Sequence, residues 1–569
     1  MYLQKGISNG KVYLSIVHGY RDPLTKKVRR KTIRSLGYLE DLEKQYTDPI
    51  KHFEAVVAKM NEEEALENQP VTISFNPKET LTESAPNRKN IGYAALSKLY
   101  HMLNLDTFFY NNARSFKSEF NTNNIMKLLI FSRILEPASK KKTYENKDRY
   151  FENTDFSLDD IYRCLTQIIP AKDRLQLHLH RQMKAKFGRS TELVYYDVTN
   201  YYFEIDKQDE LRRKGVSKEH RPDPIVQMGL LMDTKGIPIM YDLFPGNTND
   251  CSTLAPVLKK VKKNYEIGRT IVVADKGINT ADNIALNILQ GNGYVFSQTV
   301  RGGNKELKDY VLDQSGYRQI SKGYKIKSRL YPREIAVSNI EGGRTKTRID
   351  EKQVVFYSAE YDRKAKADRE SGILKARDLA KNPSRYNKTT SYGAAKYVKN
   401  LVFDPKTGEI MTAKQKPTFN EAKWREEEKF DGYYVIVTSE RKKTDEEIIA
   451  IYRGLWQIEE AFKVTKSDLE TRPVYLSRTD HIEAHFLICF VALVIARLLA
   501  QCLDTKYSVP RIVESLNKAS GSLLEENWYI FDHTDEITEA IAEKLNIDLG
   551  RKYLKLGEIK KLLADTKKV

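Results

Sequence analysis

The sequence predicts a multidomain α/β protein built on a mixed β-sheet, and two patterns indicate this fold class. Residues 193–205 form a near-continuous run of β-branched and aromatic side chains, which is typical of a central strand covered on both faces. Two further strands then flank the turn at 234–236, and strands near 270–275 and 294–300 alternate with helices. Hairpin-linked strands followed by this alternation predict a mixed sheet.

The composition favours a polyanionic partner. Lys and Arg number 95 against 77 Asp and Glu, a formal net charge of +18. The most apolar run, 486–496, is too short to span a bilayer and predicts a core helix, so we expect no membrane partner. The four cysteines form neither a disulfide framework nor a CxxC site, which favours a reducing cytoplasm.

The chain before the sheet divides into three predicted parts. Residues 1–61 predict a basic hairpin and helix module, which either lies on a DNA backbone or is a solvated edge hairpin. Residues 62–90 are polar and lack periodicity, which predicts a linker. Residues 91–190 predict an all-helical domain with segments near 92–103, 122–135, 158–168 and 171–187. We expect this domain to bind DNA, and a scaffold role is the open alternative.

Three carboxylates stand out in the predicted core. Asp197 interrupts the first strand, Asp275 ends the fourth, and Glu459 lies on the apolar stripe of a helix predicted over 444–475, which opens with a capping-box spacing at Thr444 and Glu447. Glu460 points to the flank of that helix. In a sheet of the ribonuclease H type, which this strand order indicates, the three acids converge. Convergent carboxylates rarely coexist without a cation, and oxygen ligands without His or Cys suit two Mg²⁺ or Mn²⁺ ions.

The residues around these acids resemble the DDE transposases of bacterial insertion sequences, in the insertion-sequence-four superfamily. The resemblance rests on YYDVTN around Asp197, VADKGI around Asp275, FPGNTND at 244–250, WQIEEAF at 456–462, and the spacing of Tyr452, Glu459 and Lys466. It implies a ribonuclease H-like catalytic core, with Asp197, Asp275 and Glu459 as catalytic metal ligands. It also implies that Tyr452 and Lys466 hold a transposon-end phosphate.

One element departs from the family signature. Leu455 occupies the position of the signature Arg. Arg453 is offset by two positions and faces elsewhere, so the DNA-binding role of the Arg stays open between Arg453 and a basic residue from another segment, such as Arg472. The family also accounts for the long gap before Glu459 by a β-rich insertion. The core therefore takes two parts, 191–300 and 431–505, around an insertion domain at 301–430, and 506–569 predicts a C-terminal helical region. The insertion holds 30 Lys or Arg against 18 Asp or Glu, a net of +12, which favours contact with DNA.

These patterns predict a metal-dependent DNA transposase that cleaves phosphodiester bonds at transposon ends and joins the freed 3′-hydroxyls to target DNA. The alternatives are a ribonuclease H-like nuclease that only cuts, and a catalytically inactive DNA-binding protein of the same fold. The expected partners are double-stranded DNA, as transposon ends and target, and a second copy of the chain, because two ends must be cut together. We expect a cytoplasmic, nucleoid-associated protein.

Overall fold

The computed structural model describes residues 1–8, 10–21, 28–67, 88–219, 221–339, 341–387, 390–391, 393–403, 409–411, 415–472 and 474–568, with single positions at 72, 74, 78 and 80. The chain forms two compact units, Met1–Thr82 and Glu83–Val569.

The first unit is a small antiparallel sheet with two helices. Its elements are β1 (Tyr2–Ser8), β2 (Lys11–Arg21), β3 (Val28–Tyr38), α1 (Leu39–Leu42) and α2 (Pro49–Glu67). The strands pair in the order β1-β2-β3, and Leu14, Leu42 and Phe53 form the core beneath them. The predicted hairpin is therefore part of a three-stranded sheet. Helix α2 occupies the first residues of the predicted linker, and most of 68–87 lies outside the described residues.

The second unit contains the remaining strands and helices. Its strands are β4 (Arg88–Asn90), β5 (Leu193–Tyr202), β6 (Ile225–Asp233), β7 (Pro238–Pro245), β8 (Ile271–Ala274), β9 (Gly293–Gln298), β10 (Arg318–Ser321), β11 (Tyr324–Ser338), β12 (Arg344–Ser358), β13 (Val398–Lys399), β14 (Val402–Phe403), β15 (Ile410–Met411), β16 (Thr418–Phe419), β17 (Tyr433–Thr438), β18 (Ser520–Leu523), β19 (Trp528–Phe531) and β20 (Tyr553–Lys555). Its helices are α3 (Tyr93–Met102), α4 (Leu105–Phe116), α5 (Thr122–Leu135), α6 (Lys140–Glu145), α7 (Leu158–Ile168), α8 (Lys172–Phe187), α9 (Asp250–Asn264), α10 (Ala281–Leu289), α11 (Lys305–Leu312), α12 (Ala359–Lys381), α13 (Glu421–Glu428), α14 (Asp445–Arg453), α15 (Trp456–Lys463), α16 (Thr479–Cys502), α17 (Val509–Lys518), α18 (Glu536–Leu545) and α19 (Leu556–Asp565).

A nine-stranded mixed sheet organises this unit, in the order β10-β11-β12-β17-β9-β8-β5-β6-β7. Strands β5, β6 and β7 pair antiparallel, whereas β8 runs parallel to both β5 and β9. The predicted mixed α/β sheet is thus confirmed. Parallel neighbours end at the same edge, so the residues that follow β8 and those in the second half of β5 come together there.

Helix α16 is the central helix of the core on one face of the sheet. It packs against α3, α5 and α7, so the predicted helical segment and the sheet share one hydrophobic cluster. By length and composition α16 could cross a membrane, but 89% of its most apolar window is buried inside the protein. This burial agrees with the predicted core helix.

Three stretches differ from the sequence-based expectations. The C-terminal stretch 506–569 holds not only helices but also β18–β20, which pair with the distant β4 in a four-stranded sheet. Within 301–430, strands β10–β12 extend the core sheet, and the long helix α12 accompanies only short two-stranded ladders. The helix predicted over 444–475 is interrupted at Gly454, and its last turn, Val464–Asp468, is a π-helix.

The interruption at Gly454 coincides with a close approach to β5. A Cβ atom there would lie 1.8 Å from the hydroxyl oxygen of Tyr195. We therefore predict that Gly454→Ala destabilises the protein by about 1–3 kcal/mol, because overpacking outweighs the ~1 kcal/mol helix propensity of alanine. Gly372, inside α12, has nothing within 4 Å of the same position. Gly372→Ala should therefore be neutral or stabilising in the same denaturant unfolding measurement, and equal effects of the two changes would contradict this packing.

Candidate active site

Two of the predicted acids lie side by side where β5 and β8 meet. Tyr196 of β5 pairs with Ala274 of β8, which pairs with Phe296 of β9. The next residue on each strand path is Asp197, Asp275 and Ser297. Because side chains alternate between faces, these three point to the face opposite Tyr196, the face on which α16 packs. The parallel register therefore builds a row of polar side chains across three strands.

Asp275 is held by two hydroxyl groups. Ser297 donates a hydrogen bond to its Oδ1 at 2.7 Å, and the Tyr452 hydroxyl donates to the same oxygen at 3.2 Å. The Oδ1 of Asp197 accepts only the backbone N–H of Val198, at 2.7 Å. Across the described part of the chain, nothing donates a hydrogen bond to the Oδ2 of either aspartate. Each carboxylate therefore keeps one oxygen for another partner.

The charge of Asp197 is poorly compensated. Burial, with smaller contributions from the charges of Asp275 and Asp250, raises the pKa of its carboxyl to about 6, although Lys218 and the N–H of Val198 act to lower it. The Lys218 amine donates to the carbonyl oxygen of Val198, the residue that follows Asp197 on β5. A carboxyl that ionises at a cost, beside a second carboxylate, is the environment that a bound cation relieves.

The helix after β17 covers this row. Its start is as predicted: the Thr444 hydroxyl accepts the N–H of Glu447 at 3.2 Å, and the Glu447 carboxylate accepts the N–H of Thr444 at 2.7 Å. Further along, Gly454 contacts Tyr195, and Thr465 hydrogen-bonds Tyr201 at 2.9 Å. Both tyrosines point to the same face of β5 as Asp197, which lies between them. The segment midway between Gly454 and Thr465 therefore runs past Asp197.

Glu459 belongs to that middle segment, but its side chain is exposed, contrary to the predicted packed stripe. The interruption at Gly454 changes the phase of the helix, so Ile458, Ala461 and Phe462 take the buried positions. Glu459 forms no hydrogen bond or ion pair within the described residues. Nor does any group of three His, Cys, Asp or Glu side chains in the described residues lie close enough to hold a metal. The structure thus brings Asp197 and Asp275 together and leaves Glu459 apart from them.

The flanking acid Glu460 has a different environment. Its Oε2 accepts a hydrogen bond from Arg497 of α16 at 2.7 Å. Glu460 is therefore tied to the core helix, while the neighbouring Glu459 carboxylate faces solvent.

The predicted DNA-binding residues separate into two sets. Tyr452 contacts Asp275, and burial together with the Asp275 charge raises the pKa of its hydroxyl. The Lys466 amine donates to Glu219 at 3.0 Å, and Arg472 pairs with the other oxygen of Glu219. Burial lowers the pKa of Lys466.

Arg453 belongs to neither set. Its guanidinium lies 5.2 Å from the ring centroid of Tyr324 on β11. It therefore lies over the extension of the sheet, and its separate orientation agrees with the sequence analysis.

Sequence reasoning missed three members of this site. Ser297 could have been found by register, because it occupies on β9 the position that Asp275 occupies after β8. Glu219 and Lys218 lie in an irregular segment between β5 and β6, where no periodicity places a side chain. Only the folded chain shows that Glu219 joins Lys466 to Arg472.

The donor set fits a hard divalent cation. Two adjacent carboxylates, each with an oxygen that receives no hydrogen bond from the described residues, offer the ligands that Mg²⁺ and Mn²⁺ prefer. Burial and the neighbouring carboxylates raise the pKa of Asp197 despite Lys218, so a bound cation would stabilise its charged form.

A family model described as a transposase DDE domain matches residues 204–495, which is half of the chain. The chain is a member of the DDE transposase family. A second model, the N-terminal domain of IS1634 family transposases, matches residues 4–71 in the first unit. This confirms the expected insertion-sequence transposase.

The match includes most of the candidate site residues and leaves one outside. Asp275, Tyr452, Glu459 and Lys466 lie within it, whereas Asp197 precedes its first residue. No curated protein matches the chain. A cryo-EM structure of a piggyBac transposase synaptic complex with hairpin DNA aligns over 85% of this chain and 87% of its own, with 10% identity and a TM-score of 0.36. A score this low does not establish a common fold.

The pKa of Asp197 gives a test of the unbalanced charge in this transposase. A carboxyl whose pKa is raised by folding holds its proton more tightly when folded, so stability falls as pH rises from about 4 to about 6. Asp197→Asn should therefore raise the unfolding free energy above pH 6 in metal-free buffer by on the order of 1 kcal/mol or more, since one pKa unit is ~1.4 kcal/mol. The melting temperature should rise accordingly. The gain should fade toward pH 4.

Mg²⁺ and a surface control sharpen this measurement. Adding Mg²⁺ at pH 7.5 should raise the melting temperature of the wild type more than that of Asp197→Asn. Asp206 is exposed, and Asp206→Asn should behave as the wild type throughout. A pH-independent difference for Asp197→Asn, or an equal Mg²⁺ effect on all three proteins, would contradict the assignment.

Proposed function

We propose that this transposase has a ribonuclease H-like core and uses two divalent cations held by Asp197, Asp275 and Glu459. It cleaves phosphodiester bonds at transposon ends and joins the 3′-hydroxyls to target DNA. The observation that carries the proposal is the pair Asp197 and Asp275, adjacent at the meeting of two parallel strands and each with a carboxylate oxygen to spare. The cations would be Mg²⁺ or Mn²⁺, and such an enzyme would act on cytoplasmic, nucleoid DNA as a dimer.

Bound divalent cations would activate the attacking oxygen and stabilise the leaving oxygen of an in-line displacement. The residues of the chain prepare the site for this chemistry. Ser297 and Tyr452 fix the orientation of Asp275 by occupying its Oδ1, and the backbone of Val198 does the same for Asp197. Glu459 is proposed as the third ligand because the helix runs past Asp197, and its exposed carboxylate is not committed to a described protein partner.

Lys466 and Arg472 support a phosphate-binding role beside the metal site. Both contact Glu219, so two cations share one carboxylate and keep an excess positive charge. A DNA phosphate would balance this positive charge. Because Lys466 is partly buried, its attraction to the phosphate would be stronger than it would be in water. Tyr452, at the end of α14, would place a second donor near the scissile strand if its hydroxyl turned from Asp275 to a DNA phosphate.

A basic groove on the same face supports DNA as the substrate. The groove has a volume of about 650 Å³ and is lined by α12 and by Tyr434 of β17. Tyr434 lies two residues before Ile436, the pairing partner of Ser297, and therefore on the face that carries the aspartates. Five basic residues line the groove beside a single acid, Asp368: Arg301, Lys364, Arg369, Lys375 and Lys396. Arg301 and Arg369 pair with Asp431, and Lys396 pairs with Glu427. Lys364 and Lys375 have no ion-pair partner among the described residues and suit a nucleic-acid backbone.

The two neighbouring acids of α15 test the catalytic assignment with an internal control. We predict that Glu459→Gln lowers the rate of end cleavage by orders of magnitude and leaves end binding within a few-fold, because a metal ligand acts mainly in the transition state. Glu460→Gln should keep most of its activity. Its unfolding temperature should fall slightly, because Arg497 loses a charged partner. Asp197→Asn and Asp275→Asn should behave as Glu459→Gln.

The assay uses donor DNA carrying the inverted repeats that flank the coding region, a target plasmid and Mg²⁺. Joined products support the transposase reaction. Cutting without joining would favour the ribonuclease H-like nuclease, and binding alone would favour the inactive DNA-binding protein. If Glu460→Gln were inactive below its unfolding temperature while Glu459→Gln cleaved normally, the proposed third ligand would be wrong.

A further inference from the structure

A second basic cavity lies beside the segment that follows α15 and its π-helical turn. Its volume is about 220 Å³, and its walls come from the end of α5, the start of α6, Tyr162 of α7, residues 470, 472 and 474–476, and α16. Four cations line it: Arg133, Lys140, Lys141 and Arg472. Glu470 is the only acid among the lining residues. We call this space the α5–α6 cavity.

Lys140 is the most unusual residue of the α5–α6 cavity. Its side chain is almost fully buried, yet its amine contacts no carboxylate of the described residues, and its hydrogen-bond partner among them is the Nδ1 of His485 at 3.5 Å. The Nε2 of His485 lies 3.2 Å from the carbonyl oxygen of Thr471, so it carries the proton and leaves Nδ1 as an acceptor. His485 therefore supplies no negative charge. Burial and the nearby Arg133 lower the pKa of Lys140 to about 7.

Arg133 contributes a second buried cation without an acidic partner. Its terminal nitrogens donate to the carbonyl oxygens of Ala138 at 2.7 Å and Leu469 at 3.2 Å, and its Nε is buried without a hydrogen-bond partner. Two buried cations next to each other repel, and each loses hydration without gaining a counter-charge. The protein alone leaves this cluster electrostatically incomplete.

An anion would complete it. We propose that the α5–α6 cavity binds a phosphate group of the DNA backbone, held by Lys140 and Lys141 with Arg133 and Arg472 behind them. A phosphate offers several acceptor oxygens and a full negative charge to converging donors. The exposed ring of Tyr475 stands among the lining residues, where the rest of a nucleotide would emerge.

The position of Arg472 links this cavity to the catalytic helix. Arg472 lines the cavity and pairs with Glu219, which also holds Lys466. A DNA strand bound both at Lys466 and in the α5–α6 cavity would therefore contact both ends of the ion-pair group Lys466–Glu219–Arg472. The inference rests on the proposed function because it takes DNA as the source of the phosphate, and it gives the helical segment a place on the DNA path.

The test compares three neighbouring lysines. Lys140→Met and Lys141→Gln remove cations from the cavity, whereas Lys142→Gln removes an exposed cation that does not line it and pairs with Glu145 at 3.7 Å. Binding of a random-sequence 40-bp duplex to the full chain is measured against salt concentration without divalent cations. We expect the salt slope of Lys140→Met and Lys141→Gln to fall by about one each, and that of Lys142→Gln to stay unchanged.

A second arm uses inorganic phosphate and thermal unfolding. Phosphate should raise the melting temperature of the wild type and of Lys142→Gln, and most of this shift should disappear in the two cavity variants. Without phosphate, Lys140→Met should be at least as stable as the wild type, because it removes a buried, uncompensated ammonium. A change in both arms supports a backbone phosphate, and a change in the phosphate arm alone assigns the site to a free anion.

The proposal is overturned if all three variants have the same salt slope and the same phosphate shift. A large loss of stability in Lys140→Met would show a purely structural role for Lys140, and the solvent-exposed Lys141 then decides the matter. Neither arm depends on catalysis. Inactive cavity variants of normal affinity would overturn this inference only, whereas an active Glu459→Gln would overturn the proposed metal ligands and leave the cavity measurement unaffected.

Discussion

The parallel register of β5 and β8 is the constraint on which the rest of the site depends. It places Asp197 and Asp275 next to each other on one face of the sheet, where burial and the neighbouring Asp275 carboxylate disfavour the charge of Asp197. The Asp197–Asp275 pair therefore does not stabilise the sheet. The surrounding groups instead orient the acids: hydroxyls of Ser297 and Tyr452 occupy one oxygen of Asp275 and leave the other open. Such an arrangement costs folding energy, and it is what the proposed cation site requires.

The segment formed by α14, α15 and the π-helical turn Val464–Asp468 is adapted to lie close to this row. Gly454 permits the contact with Tyr195, and Thr465 fixes the other end to Tyr201. The π-helical turn begins immediately after α15 and contains Lys466, which it directs toward Glu219. Turns of this kind often occur at functional sites because they re-aim side chains that a regular α-helix would place elsewhere. The helix thus carries Tyr452, Glu459 and Lys466 past the sheet without the regular spacing that its sequence suggests.

Local sequence patterns predicted much of this fold. The strands β5–β9 were predictable from β-branched runs and turns, and the capping box at Thr444 from its spacing. The exposure of Glu459 was not predictable, because the interruption at Gly454 depends on a tyrosine about 260 residues earlier in the chain, and a stripe calculation assumes an unbroken helix. The strands after residue 519 were missed for a similar reason. They are short, and β18 is completed by β4, more than 400 residues away.

The central claim is that Asp197, Asp275 and Glu459 surround the same cations in the working enzyme. Iron-directed cleavage of the polypeptide tests it most directly: Fe²⁺ replaces Mg²⁺ in the DNA complex, and ascorbate with peroxide generates radicals that cut the backbone beside the bound metal. The account predicts cuts at three segments, around residues 197, 275 and 459, all suppressed by excess Mg²⁺. Cuts near 197 and 275 accompanied by cuts at Asp250 and none near 459 would contradict the proposed ligand set.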